Sequence, residues 1–117
     1  MRLEELADKI GATILTQQSR GGVEVERVYA GDKVSDLLNE SSDHTLLVTS
    51  LVGPQLSRLT QLMDVPAVCL VKAAVPEAAM LAEADDNGTV VMVSPVDMFE
   101  TCGRLYCCLD GKDRRSQ

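Results

Sequence analysis

Six polar residues follow the apolar runs of the sequence, and together their side chains could bind a small anion. Hydroxyl groups and a lysine ammonium donate hydrogen bonds to phosphate or carboxylate oxygens. If the apolar runs are parallel strands, their ends meet at one edge of a sheet, where ligands and helix N-termini also gather. An adenine nucleotide or another anion fits such an edge. The predicted ligand-binding residues are Asp32, Thr49, Ser50, Lys72, Ser94 and Asp97.

Three of these residues also have a structural interpretation. In "AGDKVSDLL", Asp32 directly precedes a helical run, where an aspartate caps the helix and stabilises it by about 1 kcal/mol. We therefore interpret Asp32 first as a helix cap that also shapes the edge of the site. Ser94 would likewise cap the last helix, with Pro95 at its first position and Asp97 at its third. Lys72 has no such structural alternative.

The sequence offers no combination of residues typical of an enzyme. His44, the single histidine, lies at a loop edge, and the chain has no Gly-x-Ser-x-Gly motif to supply a nucleophile. The adjacent carboxylates at 4–5 point apart on a helix, and those at 85–86 belong to a turn. The Gly21-Gly22 pair is not followed by the Lys-Ser or Lys-Thr of a phosphate-binding loop. We predict that the protein is not an enzyme.

The cysteines favour reduced, buried thiols over disulfides or a metal site. Each lies inside an apolar segment, and none forms a C-x-x-C pair with another. Free cysteine is commonly a small buried hydrophobic residue. We expect no cofactor, and we keep a cysteine-based metal or cluster carrier as a further alternative function. The four residues are Cys69, Cys102, Cys107 and Cys108.

Length and charge limit the number of domains and the classes of partner. The 117 residues fit one domain, which we place at residues 1–110, followed by a flexible polar tail at 111–117. The net charge of −7 is spread along the chain and repels nucleic acids and anionic membranes. No apolar run approaches the roughly 20 residues that span a bilayer, and the first ten residues do not resemble a secretory leader. We therefore expect a cytoplasmic protein with no nucleic-acid or membrane partner.

Three similar units follow one another from residue 45. Their apolar runs begin at Thr45, Ala67 and Thr89, with a spacing of 22 residues both times, and each is followed by a helical run. Continuous apolar strands are typical of a parallel sheet that is covered on both faces. The predicted fold is therefore an α/β fold, with a largely parallel sheet of about five strands and helices on both faces.

The first third of the chain supplies the remaining elements. Residues 2–10 have the apolar spacing of a helix that ends at Gly11, and the runs "ATILT" and "VEVERVYA" are predicted strands. Helical stripes are also predicted at Leu56, Leu59 and Met63 and, in the last helix, at Met98, Cys102, Leu105 and Leu109.

The last helix has more apolar residues than one buried face requires. A second copy of the chain would cover the excess, so we predict a homodimer. The predicted interface residues are Met98, Phe99, Cys102, Leu105 and Tyr106.

Three segments of the sequence resemble the DRTGG domain. They are "AGDKVSDLL", "LLVTSLVGPQLSRLTQLMDVPAVCLV" and "VVMVSPVDMFETCGRLY". The likeness covers roughly residues 25–106 and includes the Gly31-Asp32 pair, Thr49, the Val65-Pro66 pair and "SPVDMFETCGRL". Ser50 and Leu51 stand where the family usually has two glycines, and Lys33 replaces its usual arginine.

The resemblance implies a fold like that of the N-terminal domain of HPr kinase/phosphorylase. It also implies a dimeric, non-catalytic module used in regulation or in contacts with an as yet unknown protein partner. A nucleotide or other anion sensor is the alternative. Because single-domain proteins of this kind tend to accompany iron-hydrogenase genes, the metal-carrier alternative would be linked to hydrogenase function.

Overall fold

The computed structural model describes residues 1–16, 23–62 and 66–109. The predicted tail at 111–117, Met63 and Val65 lie outside these ranges. Within them the chain forms five helices and five strands. The elements are α1 (Leu3–Ile10), β1 (Thr13–Ile14), β2 (Arg27–Ala30), α2 (Val34–Glu40), β3 (Thr45–Thr49), α3 (Pro54–Leu62), β4 (Ala67–Leu70), α4 (Ala78–Asn87), β5 (Val90–Val93) and α5 (Met98–Leu109).

The strands form one sheet with the spatial order β1-β5-β4-β3-β2. The four strands from β2 to β5 are parallel, and β1 pairs with β5 in the antiparallel direction. Leu46 of β3 lies opposite Ala67 of β4, which lies opposite Val90 of β5. The prediction of a largely parallel sheet of about five strands is confirmed, and the three similar units lie side by side.

Helices cover both faces of the sheet, as predicted from the continuous apolar strands. Every residue of β3, β4 and β5 is buried. One face packs against α2, α3 and α4 through residues such as Leu37, Leu59 and Met80. The other face packs against α1 and α5 through residues such as Leu6 and Leu105. The strands from β2 to β5 are neighbours in chain order, and crossovers of the same hand between such strands place all their helices on one face of the sheet. This is why α2, α3 and α4 lie together.

Left-handed glycines end two of the helices. Gly11 has φ 77° and donates its backbone N–H to the last turn of α1, and Gly88 has φ 77° and ends α4 in the same way. The predicted end of the first helix at Gly11 is therefore confirmed. Among the helices in the described ranges, none has both the length and the apolar character needed to cross a bilayer.

Candidate ligand-binding site

The carboxyl ends of the four parallel strands meet at one edge of the sheet, and each leads into a loop with a polar residue. β2 leads to Asp32, β3 to Ser50, β4 to Lys72 and β5 to Ser94. This is the edge at which parallel sheets bind ligands. The parallel arrangement therefore brings the predicted site residues to the same end of the molecule.

Asp32 joins two neighbouring strands, and its predicted role as a helix cap is wrong. Its Oδ1 atom accepts a hydrogen bond from the backbone N–H of Ser50 at 2.8 Å and another from the hydroxyl of Thr49 at 3.1 Å. The residue at the N-cap of α2 is Lys33, and no side chain caps that helix. Ala30 lies opposite Val48 in the sheet, so the chain two residues later brings Asp32 next to Ser50.

These hydrogen bonds stabilise the ionised form of Asp32. Its partial burial acts to raise the pKa of the carboxyl, but the hydrogen bonds from Ser50 and Thr49 outweigh that effect and hold the pKa below its ordinary value. The Thr49 hydroxyl in turn accepts the backbone N–H of Leu51 at 3.2 Å. The turn after β3 is thus held by a carboxylate that stays negative at neutral pH.

Three predicted site residues line one cleft between the ends of β3 and β4, which we call the edge cleft. Its volume is about 230 Å³, and it is lined by Thr49, Ser50 and Lys72 together with apolar residues that include Leu70 and Ala74. Because Thr49 is fully buried and donates its hydroxyl to Asp32, the polar side chains that the edge cleft can offer to a ligand are those of Ser50 and Lys72.

Lys72 and Ala73 adopt an unusual backbone conformation beside the edge cleft. Their φ angles are 59° and 53°, in the left-handed region that residues with a Cβ avoid. The backbone N–H of Lys72 donates to the carbonyl of Val96 at 2.8 Å, and that of Ala73 donates to the carbonyl of Ser94 at 2.9 Å. Two hydrogen bonds to the loop after β5 therefore hold Lys72 in a conformation that it would otherwise avoid.

Ser94 and Asp97 serve the structure of the loop before α5. Ser94 is 0% exposed, and its hydroxyl lies 2.7 Å from that of Thr101. Asp97 accepts the backbone N–H of Glu100 at 2.9 Å, which is the pattern of an N-cap residue. The helix begins at Met98, so Asp97 caps it, and the predicted cap at Ser94 is wrong.

An apolar groove adjoins the edge cleft, and the sequence analysis missed it. Its volume is about 300 Å³, and it lies between the loop after β3 and the loop after β4. A signal was present, because Val52 and Val75 are apolar residues in loops, close to Pro54 and Pro76. The lining residues are Val52, Gly53, Leu56, Ser57, Leu70, Ala74, Val75, Pro76, Glu77 and Met80.

The residues predicted for a dimer interface divide between the two sides of α5. Leu105 is 1% exposed and belongs to the core, so we leave it out of the predicted interface. Met98 and Cys102 are half-buried and pack against the same core. Phe99, at 89% exposed, and Tyr106, at 41% exposed, lie on the outer side of the helix.

The cysteines are free thiols. Burial raises the pKa of Cys69 to about 12, to which the neighbouring Cys102 also contributes, while a hydrogen bond from the backbone of Ser94 acts in the opposite direction. Burial also raises the pKa of Cys102. Within residues 1–16, 23–62 and 66–109, no three histidine, cysteine or acidic side chains are grouped so that they could hold a metal ion.

No family model and no curated protein matches this sequence. Among solved structures, the chain is similar to the CBS and DRTGG domains of the regulatory region of Clostridium perfringens pyrophosphatase, complexed with the activator diadenosine tetraphosphate. The TM-score is 0.69 at 14% sequence identity, and the match covers 92% of this chain and 47% of the other. This chain therefore spans about half the length of that structure. The likeness shows a related α/β fold.

Proposed function

We propose that this chain is a non-catalytic regulatory module of the DRTGG type that binds a small anionic ligand in the edge cleft. The observation that carries the proposal is the meeting of Thr49, Ser50 and Lys72 in one cleft at the carboxyl edge of the sheet. The fold is related to that of a pyrophosphatase regulatory region, whose structure was solved with a nucleotide activator. A ligand-controlled module fits both facts.

Lys72 gives the edge cleft its selectivity for an anion. The chain as a whole carries a net charge of −7, so an anion gains nothing from the general field of the molecule. Lys72 and the exposed Ser50 line the same cleft, so an ammonium group and a hydroxyl can make it locally favourable for a carboxylate or phosphate. The strained backbone at Lys72 supports a binding role, because such strain concentrates at ligand-binding sites.

The placement of the single histidine supports a module without catalysis at this cleft. His44 is exposed and directly precedes β3, whereas Ser50 directly follows it. Five residues of extended strand separate these ends by roughly 16 Å. A histidine at that distance cannot accept the proton of a serine or threonine hydroxyl in the edge cleft.

A thermal-shift screen of nucleotides and other small anions tests the proposal. A ligand that binds the folded chain raises its melting temperature, and the rise should disappear in a Lys72→Met variant. The Lys9→Met variant is the matched control, because Lys9 is an exposed lysine on α1, which packs on the face of the sheet opposite α3 and α4, and it does not line the edge cleft. The absence of any stabilisation at millimolar ligand would contradict the proposal.

A second proposed property is self-association through the outer side of α5. Exposed aromatic side chains are typical of interfaces, and Phe99 is the most exposed aromatic residue within the described part of the chain. A depression of about 420 Å³ separates α5 from β2, and its lining includes Val28, Ala30 and Tyr106. A second copy would cover Phe99 and part of this depression.

Light scattering at micromolar concentrations measures this property. The unchanged chain should have the mass of a dimer, and Phe99→Asp should reduce it to that of a monomer, because an interface does not tolerate an unpaired buried charge. Val75→Asp controls for the added charge, since Val75 is exposed and lines a groove with Leu56 of α3 and Met80 of α4, away from α5. A monomeric unchanged chain would exclude the dimer.

A further inference from the structure

The apolar groove and the edge cleft form one continuous surface. Val52, Leu70 and Ala74 line both of them, so a molecule that occupies one can extend into the other. The groove alone, at about 300 Å³, is at the lower end of the range for small-molecule sites. It therefore fits a planar ring system of modest size.

Two exposed valines mark the groove as a place for an apolar group. Val75 is 93% exposed and Val52 is 64% exposed, although both lie in loops where a polar residue would cost nothing. Their side chains face water together with Pro76 on the rim of a concave surface. Exposed apolar residues gathered at a concave site are typical of ligand binding.

The two ends of this combined surface carry opposite charges. Lys72 lies in the edge cleft, and Glu77 lines the apolar groove. Glu77 occupies the N-cap position of α4, but its side chain makes no capping hydrogen bond to that helix. Its carboxylate can therefore accept a hydrogen bond from an amino group on a bound ring.

We infer that the ligand is an amino-substituted heterocycle with a single anionic group, such as an aminopurine mononucleotide. Its ring lies in the apolar groove with the amino group toward Glu77, and its anion lies in the edge cleft with Lys72 and Ser50. This inference rests on the proposed function and specifies the chemistry of its ligand. Purine faces pack well against aliphatic side chains such as the exposed Val52 and Val75 of the groove.

The charges at the cleft favour one anionic group over several. Lys72 is the cation among its lining residues, and the ionised Asp32 is hydrogen-bonded to Ser50 beside it. A second or third phosphate would add negative charge, and the lining residues supply no further cation to neutralise it. The chain already has a net charge of −7. Polyphosphates should therefore bind less tightly than a monophosphate of the same nucleoside.

Calorimetric titration with a set of related compounds tests the inference. Adenosine monophosphate should bind at least tenfold more tightly than adenosine, inosine monophosphate, adenosine triphosphate or ribose 5-phosphate. The Lys72→Met variant should bind adenosine monophosphate only as tightly as it binds adenosine. In Glu77→Gln, adenosine and inosine monophosphates should bind equally.

Charge variants of the groove provide the second measurement. Val75→Asp and Val52→Asp each place a carboxylate at an exposed site on the groove, so both should fold and both should weaken adenosine monophosphate at least tenfold. Ala79→Asp is the matched control, because Ala79 is exposed on α4 and does not line the groove. Its affinity should equal that of the unchanged chain.

Each contrary result has a separate meaning. If ribose 5-phosphate binds as tightly as adenosine monophosphate, depends on Lys72 and ignores Val75→Asp, the anion site stands and the ring site is wrong. Tighter binding of the triphosphate than of the monophosphate overturns the single anionic group. If no compound of this set binds at millimolar concentration, the inference is wrong, and the wider thermal-shift screen of small anions decides the proposed function separately.

Discussion

The turns after β3 and after β5 begin with the same residue type but use it in opposite ways. Ser50 is exposed and directly follows Thr49 at the edge cleft, whereas Ser94 is fully buried and pairs with Thr101. Each turn also has an aspartate nearby. Asp32 holds the first turn from a neighbouring strand, and Asp97 caps the helix that follows the second.

The difference shows how one edge of a sheet divides its polar groups between structure and binding. In the turn after β5, the Ser94 hydroxyl pairs with that of Thr101 in α5, and the Asp97 carboxylate accepts the backbone N–H of Glu100, so the first turn of α5 takes up both groups. In the turn after β3, the support comes from outside, through Asp32, and so the Ser50 side chain lies at the surface of the cleft. A turn that is held by a neighbour can keep its serine at the surface, where a ligand can reach it.

The largest expected effect is the loss of the buried pair in the turn after β5. Ser94→Ala should lower the free energy of unfolding by about 1–3 kcal/mol, because the hydroxyl of Thr101 then loses its 2.7 Å partner in a buried place. Chemical denaturation measures the loss. Ser50→Ala is the matched control at the other turn, and it should cost less than about 0.5 kcal/mol, as exposed sites do.

A double variant sharpens this prediction. Combining Ser94→Ala with Thr101→Val removes both hydroxyls, so the combined loss should be smaller than the sum of the two single losses. Strict additivity would mean that the two hydroxyls do not stabilise each other.

The next largest effect is the removal of the carboxylate that supports the turn after β3. Asp32→Ala should cost about 1–2 kcal/mol, because the N–H of Ser50 and the hydroxyl of Thr49 lose their acceptor. Asp43→Ala, in an exposed turn, controls for the loss of one negative charge. An equal cost in the two variants would show that Asp32 does not hold the turn.

The stabilisation by Asp32 should depend on pH. Its pKa is lower in the folded chain than in the unfolded chain, so the ionised carboxylate stabilises the fold above about pH 4, the ordinary aspartate value. That contribution is lost as the pH falls through the folded-state pKa. The stability difference between the unchanged chain and Asp32→Asn should therefore hold from about pH 6 to about pH 4 and shrink below about pH 4 in denaturant titrations. A difference that stays constant would contradict the assignment.

Sequence patterns were sufficient where the governing interactions are local or periodic. The 22-residue spacing of Thr45, Ala67 and Thr89 located three neighbouring parallel strands, because each unit repeats the same strand and crossover. The stripe from Met98 to Leu109 identified the inner side of α5, since helical periodicity depends only on the helix itself. The meeting of Thr49, Ser50 and Lys72 followed from the parallel direction of the strands.

Patterns failed where a side chain chooses a partner that is distant in sequence. Asp32 has the local context of a cap, but its Oδ1 atom accepts a hydrogen bond from Ser50, which is eighteen residues away in the sequence. Ser94 likewise has the context of a cap, and its partner Thr101 becomes evident only when the loop is in place. For Leu105, composition alone could not separate the core from an interface, because both require apolar residues.

A third effect, of about 1 kcal/mol, concerns the cap of α5. Asp97→Ala removes the acceptor for the N–H of Glu100 and should destabilise the fold by about that amount. Asp97→Ser should restore most of the loss, because serine also caps helices. Ligand affinity should stay unchanged in both variants, since Asp97 does not line the edge cleft. A change in affinity would place Asp97 in the binding site after all.

The smallest effect is a gain in stability at the strained turn after β4. Ala73→Gly should raise the free energy of unfolding by about 0.5 kcal/mol. Glycine avoids the cost of about 1–2 kcal/mol for the left-handed conformation, and the greater conformational entropy of glycine in the unfolded chain offsets only part of that gain. Ala79→Gly, within a helix, should instead lower it by about 1 kcal/mol. A loss at position 73 would mean that the turn is not strained.

The same substitution one residue earlier links this strain to binding. Lys72→Gly should also raise the free energy of unfolding, since Lys72 has a φ of 59°, but it should abolish the binding of the anion in the edge cleft. Ala73→Gly should keep that binding, because Ala73 does not line the cleft. Lys72→Gly should thus gain stability and lose affinity, whereas Ala73→Gly should gain stability and keep its affinity. This combination is expected only if the ammonium group of Lys72 is the reason for a lysine in this strained conformation.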